Sequence, residues 1–163
     1  MTNHYAVTTP AEAKSPRYKA LLQLLSTAET VWNVSRTFFA RWELSPSQFN
    51  VLNLLQDYPG GCTQIELSRL LIVHRSNITG LVDRLEKRDL VQRQDSDKDR
   101  RAYLVALTPK GQTLLRKILP EYYQAAENIW GNFPGRRTTQ LTDDLVRLAA
   151  NVKTFAQKSA TES

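Results

Sequence analysis

The run from Thr63 to Leu107, T-Q-I-E-L-S-R-L-L-I-V-H-R-S-N-I-T-G-L-V-D-R-L-E-K-R-D-L-V-Q-R-Q-D-S-D-K-D-R-R-A-Y-L-V-A-L, constrains this chain more than any other feature. It reads as a short helix, a turn, a longer helix, then two strands around a charged loop. Thr63 and Glu66 have capping-box spacing, and Ile65, Leu67, Leu70 and Leu71 supply a buried side for the first helix. After a turn at Ile72-Val73, a second helix places Ile78, Leu81, Val82 and Leu85 on one stripe at i, i+3, i+4, i+7. Its opposite face carries Ser76, Gly80, Asp83 and Lys87, flanked by Thr79, Asn77 and Arg84. That order is a helix-turn-helix with a β-hairpin wing, an arrangement suited to laying one helix in a DNA major groove.

Residue types along the second helix divide by chemistry. Ser76, Asn77 and Thr79 suit hydrogen bonds to base edges, whereas Arg84 and Lys87 suit phosphates. His74 and Arg75 stand where the helix begins, and His74 is expected to cap it or touch phosphate rather than act as a pH switch. Strand-like runs at Leu90–Arg93 and Ala102–Leu107 flank a tip too polar to pack. On that tip Lys98, Arg100 and Arg101 are candidates for DNA contact, an arginine entering a narrow minor groove, while Asp97 and Asp99 hold them in place. Ion pairing is a better reading of the two aspartates than a metal or acid/base pair.

Three motifs in this order resemble the MarR family of bacterial transcriptional regulators: V-D-R-L-E at Val82–Glu86, D-R-R-A at Asp99–Ala102 and L-T-P-K-G at Leu107–Gly111. The resemblance implies that Thr79 and Arg84 are recognition-helix contacts and that Arg101 is the wing arginine. It also implies an all-helical dimer interface, and small aromatic acids as ligands between that interface and the DNA-binding lobe. The chain departs from the family pattern at Ile72 and Asp89, where glycine is usual, at His74, where serine is, and at Gly80, where a longer polar residue stands. A left-handed backbone at Ile72 or Asp89 would therefore be strained, at Ile72 more so than at Asp89.

The flanks fit a mainly α protein with a small β-hairpin wing. Residues 1–16 read as a loose arm, 45–107 as the winged lobe, 17–44 and 108–157 as a helical dimerisation region, and 158–163 as a frayed tail. At 163 residues the length favours one domain. In the first long helix Tyr18, Leu25, Trp32 and Phe39 recur at sevens, with Leu21, Ala28, Ser35 and Trp42 as a second seam, which calls for a partner helix. Ser45-Pro46-Ser47-Gln48 and Thr108-Pro109 are helix starts; Pro120 predicts a kink in the helix that follows the wing. The last helix carries Leu141, Leu145, Leu148, Val152 and Phe155. A symmetric dimer would bury these faces and set two recognition helices about 34 Å apart, one turn of DNA.

Charge supports this reading only weakly. Of 22 basic and 16 acidic residues, nine and seven fall between Gln64 and Arg101, so the excess of +6 is not concentrated on the winged lobe. One cysteine excludes an intrachain disulfide, and with His4 and His74 far apart no metal or cofactor site is expected. Cys62 lies at a helix start, where amide dipoles would lower its pKa; an inert thiol is nonetheless the better expectation. No signal peptide or membrane span is legible, which makes the cytoplasm the expected compartment. Trp32, Arg36, Phe39 and Trp42 are candidates for a pocket holding an aromatic or phenolic effector, joined in a wider set by Phe38, Tyr122, Tyr123 and Arg41. Aromatics at helical spacing are more often plain core.

The expected function is a homodimeric repressor on a pseudo-palindromic operator. A winged-helix module that binds protein and not DNA is the alternative. No nucleophile–base pair or phosphate-binding glycine loop supports an enzyme.

Overall fold

The computed structural model describes residues 15–71, 78–95 and 103–161. Its elements run α1 (Pro16–Ala40), α2 (Pro46–Gln56), β1 (Cys62–Thr63), α3 (Gln64–Leu70), α4 (Ile78–Glu86), β2 (Val91–Asp95), β3 (Tyr103–Leu107), α5 (Pro109–Trp130) and α6 (Gly135–Thr161). The mainly helical class with a small sheet holds. The chain divides into two compact units, one ending at Arg116 and one beginning at Lys117. Helix α1 falls in the first of these, with the winged elements. The reason is local: Phe39 at its end is buried and stacks on Phe49 of α2, ring centroids 4.2 Å apart.

Local sequence explains the helix starts. Ser45 accepts from the Gln48 amide while the Gln48 side chain accepts from Ser45 N–H at 2.8 Å, with Pro46 fixing the first turn. Thr63 and Glu66 repeat this reciprocal arrangement on α3. With only seven residues, α3 has room to bury Leu67 and the following Leu71, whereas Ile65 and Leu70 are exposed, contrary to the sequence expectation.

The sheet is antiparallel in the order β1-β3-β2. Val91 pairs with Leu107 and Asp95 with Tyr103, which is the hairpin the sequence predicts. Two-residue β1 was not anticipated; Cys62 pairs with Val105 on the hairpin's other edge. Gly61 leads into it at φ +85, where an added Cβ would lie 2.9 Å from the Val105 carbonyl oxygen.

In the second unit, α6 extends to Thr161, beyond Lys158, where fraying was expected. Pro120 sits inside an otherwise continuous α5. Leu141, Leu145, Leu148, Val152 and Phe155 on α6 are all exposed in the single chain, as are Tyr18, Leu21 and Leu25 on α1.

A left-handed residue closes α4. Asp89 has φ +57, its N–H donates to Glu86 O, and Leu90 N–H donates to Leu85 O, which together form a Schellman end. The departure from glycine therefore carries the backbone strain the sequence implied. Asp89→Gly is expected to raise stability by about 0.5–1 kcal/mol, read as a higher urea midpoint at unchanged slope.

Candidate nucleic-acid interface

The interface is assembled on α4. Ile78, Leu81, Val82 and Leu85 are buried, as the apolar stripe requires. Thr79, Arg84 and Lys87 consequently face out and are exposed, while Gly80 and Asp83 are half-buried. Arg84 and Lys87 have no side-chain hydrogen bond or ion pair among the described residues, so both cations are free to meet an external anion. His74, Arg75, Ser76 and Asn77, and on the wing Asp97, Lys98, Asp99, Arg100 and Arg101, lie outside the described residues.

Three contacts that the sequence did not reveal hold α4 in place. The first is Arg93 on β2. Its guanidinium donates to Asp83 at 2.5 Å and to Glu86, and its backbone N–H donates to Glu86 Oε1 at 3.0 Å. The hydrogen bond to Asp83, with both carboxylates beside it, keeps Arg93 protonated more firmly than a free arginine. Asp83 thus braces the wing against the helix instead of serving the outward face. Asp83 and Glu86 stand three residues apart on one helix face, a spacing that could have flagged a cationic partner.

The second is Arg88, just past α4. It donates to the Glu43 carbonyl at 2.5 Å and the Trp42 carbonyl at 3.0 Å, with the Glu43 carboxylate at 3.5 Å. Glu43 itself is left-handed at φ +54. The third is the L-T-P-K-G segment, which grips three successive carbonyls after α4. Lys110 Nζ donates to Arg88 O at 2.8 Å, Thr108 Oγ1 to Asp89 O at 2.7 Å, and Thr108 N–H to Leu90 O at 3.2 Å. Thr108 Oγ1 also accepts from Gly111 N–H, capping α5. Gly111 completes the fit, since a Cβ there would lie 2.0 Å from Leu90 O.

Elsewhere in the winged unit, Trp32, Arg36, Ala40, Glu43, Leu44 and Ser45–Ser47 line an open groove of about 520 Å³. Two of the four proposed pocket residues, Trp32 and Arg36, are there. Phe39 is not, because its ring is spent on the Phe49 stack. Trp42 is not either; its ring faces Phe38 at 5.2 Å and the Arg41 guanidinium at 4.1 Å.

Cys62 lacks the lowered pKa that its place at a helix start could give, in keeping with the inert thiol expected of it. The thiol is 1 % exposed, and burial, with the Glu66 carboxylate adding to it, pushes its pKa up from 9.0 to about 11 instead of lowering it. The unfolded chain therefore ionises this thiol first. Its contribution to stability is complete below about pH 9 and is lost as pH rises through about 11. Native protein should resist iodoacetamide at neutral pH, and the stability difference between wild type and Cys62→Ala should shrink across that alkaline window.

Comparison with known proteins places this geometry. A family model described as MarR family matches residues 42–102. The HTH-type transcriptional regulator MhqR of Bacillus subtilis (strain 168) is 30% identical over 115 residues, covering 71% of this chain and 79% of that protein. The transcriptional repressor MprA of Escherichia coli (strain K12) is 34% identical over 92 residues, 56% of this chain and 52% of that protein, so that match spans about half of MprA's length. Among solved structures, Bordetella bronchiseptica BpsR, whose DNA binding is regulated by 6-hydroxynicotinic acid, aligns with a TM-score of 0.65 at 23% identity. That alignment covers 78% of this chain and 98% of the other. No described helix is long and apolar enough to cross a membrane.

Proposed function

The chain belongs to the MarR family of transcriptional regulators, and from that premise we propose that it binds double-stranded DNA as a homodimer and represses transcription from a pseudo-palindromic operator in the cytoplasm. One observation carries the reading. Helix α4 buries its apolar stripe and turns Thr79, Arg84 and Lys87 outward, and Arg93 braces that helix against the hairpin. Phosphate neutralisation by Arg84, Lys87, Arg75 and the wing residues Lys98, Arg100 and Arg101 supplies the salt-dependent affinity. Ser76, Asn77 and Thr79 discriminate bases, His74 caps the helix or touches phosphate, and Asp97 and Asp99 order the wing.

The dimer is supported by apolar side chains on α1 and α6 that a single chain leaves in water, Phe155 at 73 % exposure among them. A small aromatic acid is the proposed releasing ligand, and the groove is its proposed seat. Arg36 meets the carboxylate, Trp32 covers the ring, and binding favours a spacing of the two lobes that no longer matches successive grooves of DNA. BpsR responds to a ligand of this chemical class, which supports the proposal.

Gel shift against genomic fragments across a salt series, with sedimentation of the free protein, tests the reading. Salt-sensitive retention of selected fragments by a dimer is expected. A folded monomer at micromolar concentration, or no retention at low salt, sinks it; the latter would favour a winged-helix module that binds protein.

A further inference from the structure

Thr79 is not an independent hydroxyl. Its Oγ1–H donates to Gln64 Oε1 at 2.9 Å, a bond reaching across fifteen residues of chain to the first position of α3. Thr79 is exposed and Gln64 half-buried, and neither side chain has a further hydrogen bond among the described residues. We infer that Gln64, which lies outside the recognition helix, is a base-specificity residue: it fixes Thr79 as an acceptor, adds a donor of its own, and the pair selects adenine. This rests on the DNA-binding reading above.

The chemistry follows from counting protons. A hydroxyl has one hydrogen to donate and two lone pairs to offer, and a freely rotating threonine can satisfy a donor or an acceptor on any base. Here the hydrogen is already committed to Gln64, which leaves only lone pairs on Oγ1 for an incoming group. The Gln64 carboxamide keeps two unused N–H donors on Nε2 beside them. Adenine shows an acceptor (N7) next to a donor (N6–H₂) in the major groove. Guanine shows two acceptors, thymine an acceptor and a methyl group, and cytosine a donor alone. Adenine is therefore the one base whose edge satisfies both members of the pair. A purely structural tie between α3 and α4 would cost stability when cut, and would leave base preference untouched.

Selection of bound sequences from a randomised duplex library, with full-length wild type, Gln64→Ala and Thr79→Ala, separates these roles. Wild type is expected to prefer adenine at one position in each half-site by roughly tenfold or more. Gln64→Ala should relax that position alone, with the remaining positions and the dependence of affinity on salt unchanged, and Thr79→Ala should relax the same position. Unaltered preference at every position in Gln64→Ala overturns the inference. So does weakening that is uniform across sequences and tracks a lower melting temperature. A wild type that retains no duplex overturns it together with the DNA-binding reading, whereas a selective wild type matched by an equally selective Gln64→Ala removes the inference alone.

Discussion

Gly111→Ala is expected to destabilise the winged unit by about 3 kcal/mol or more, enough to lower the melting temperature by roughly 10 °C. The added methyl would meet the Leu90 carbonyl oxygen at 2.0 Å, and that oxygen belongs to backbone that no rotamer change can move aside. Leu90 O is also the acceptor for Thr108 N–H. Pushing it away therefore loosens the hydrogen bonds from Thr108 and Lys110 to the neighbouring carbonyls. The damage falls at the C-terminal end of α4, so DNA affinity should drop with stability. Lys110→Met provides the graded comparison: it removes one exposed hydrogen bond and is expected to cost about 1 kcal/mol. Equal midpoints for wild type and Gly111→Ala in urea would show that α5 does not pack against Leu90 as described.

Arg84→Ala should leave the fold intact and weaken DNA binding by roughly 10- to 100-fold at moderate salt. Arg84 is exposed and has no partner among the described residues, so its removal orphans no buried group. In a dimer each substitution deletes two phosphate contacts, and the slope of log affinity against log salt should fall by about 2. Arg101→Ala should behave alike, weakening all sequences and flattening the same slope. A change in sequence preference, with the slope retained, would instead make Arg84 a base contact. Circular dichroism and an unchanged melting temperature establish that the loss is not unfolding.

Legibility in the sequence followed the range of the interaction. Capping boxes at Ser45–Gln48 and Thr63–Glu66 close within one turn, and the stripe on α4 repeats within three turns, so both are visible in a short window. Left-handed Asp89 was legible as a departure from glycine. Arg88 was not, because it reaches across 45 residues to carbonyl groups that leave no mark on residue type. Arg93 and Gln64 were hidden similarly, each lying outside the helix whose side chains it orients. Phe39 was ambiguous for another reason. A spacing of sevens marks a side that will be covered, yet does not say whether a neighbouring helix of the same chain, a second subunit or a ligand covers it. Stacking on Phe49 decides it. Two strand residues at Cys62–Thr63 are too few to produce an alternating pattern.

Arg88 also bears on how this corner of the molecule tolerates sequence drift. Every residue type brings a carbonyl oxygen, so position 42 can exchange its side chain without disturbing that bond, and position 43 can accept whatever adopts a left-handed turn. Lysine at 88, with a single ammonium in place of a planar fork, would not span both oxygens in the same way. The joint is thus robust on one side and dependent on a single guanidinium on the other.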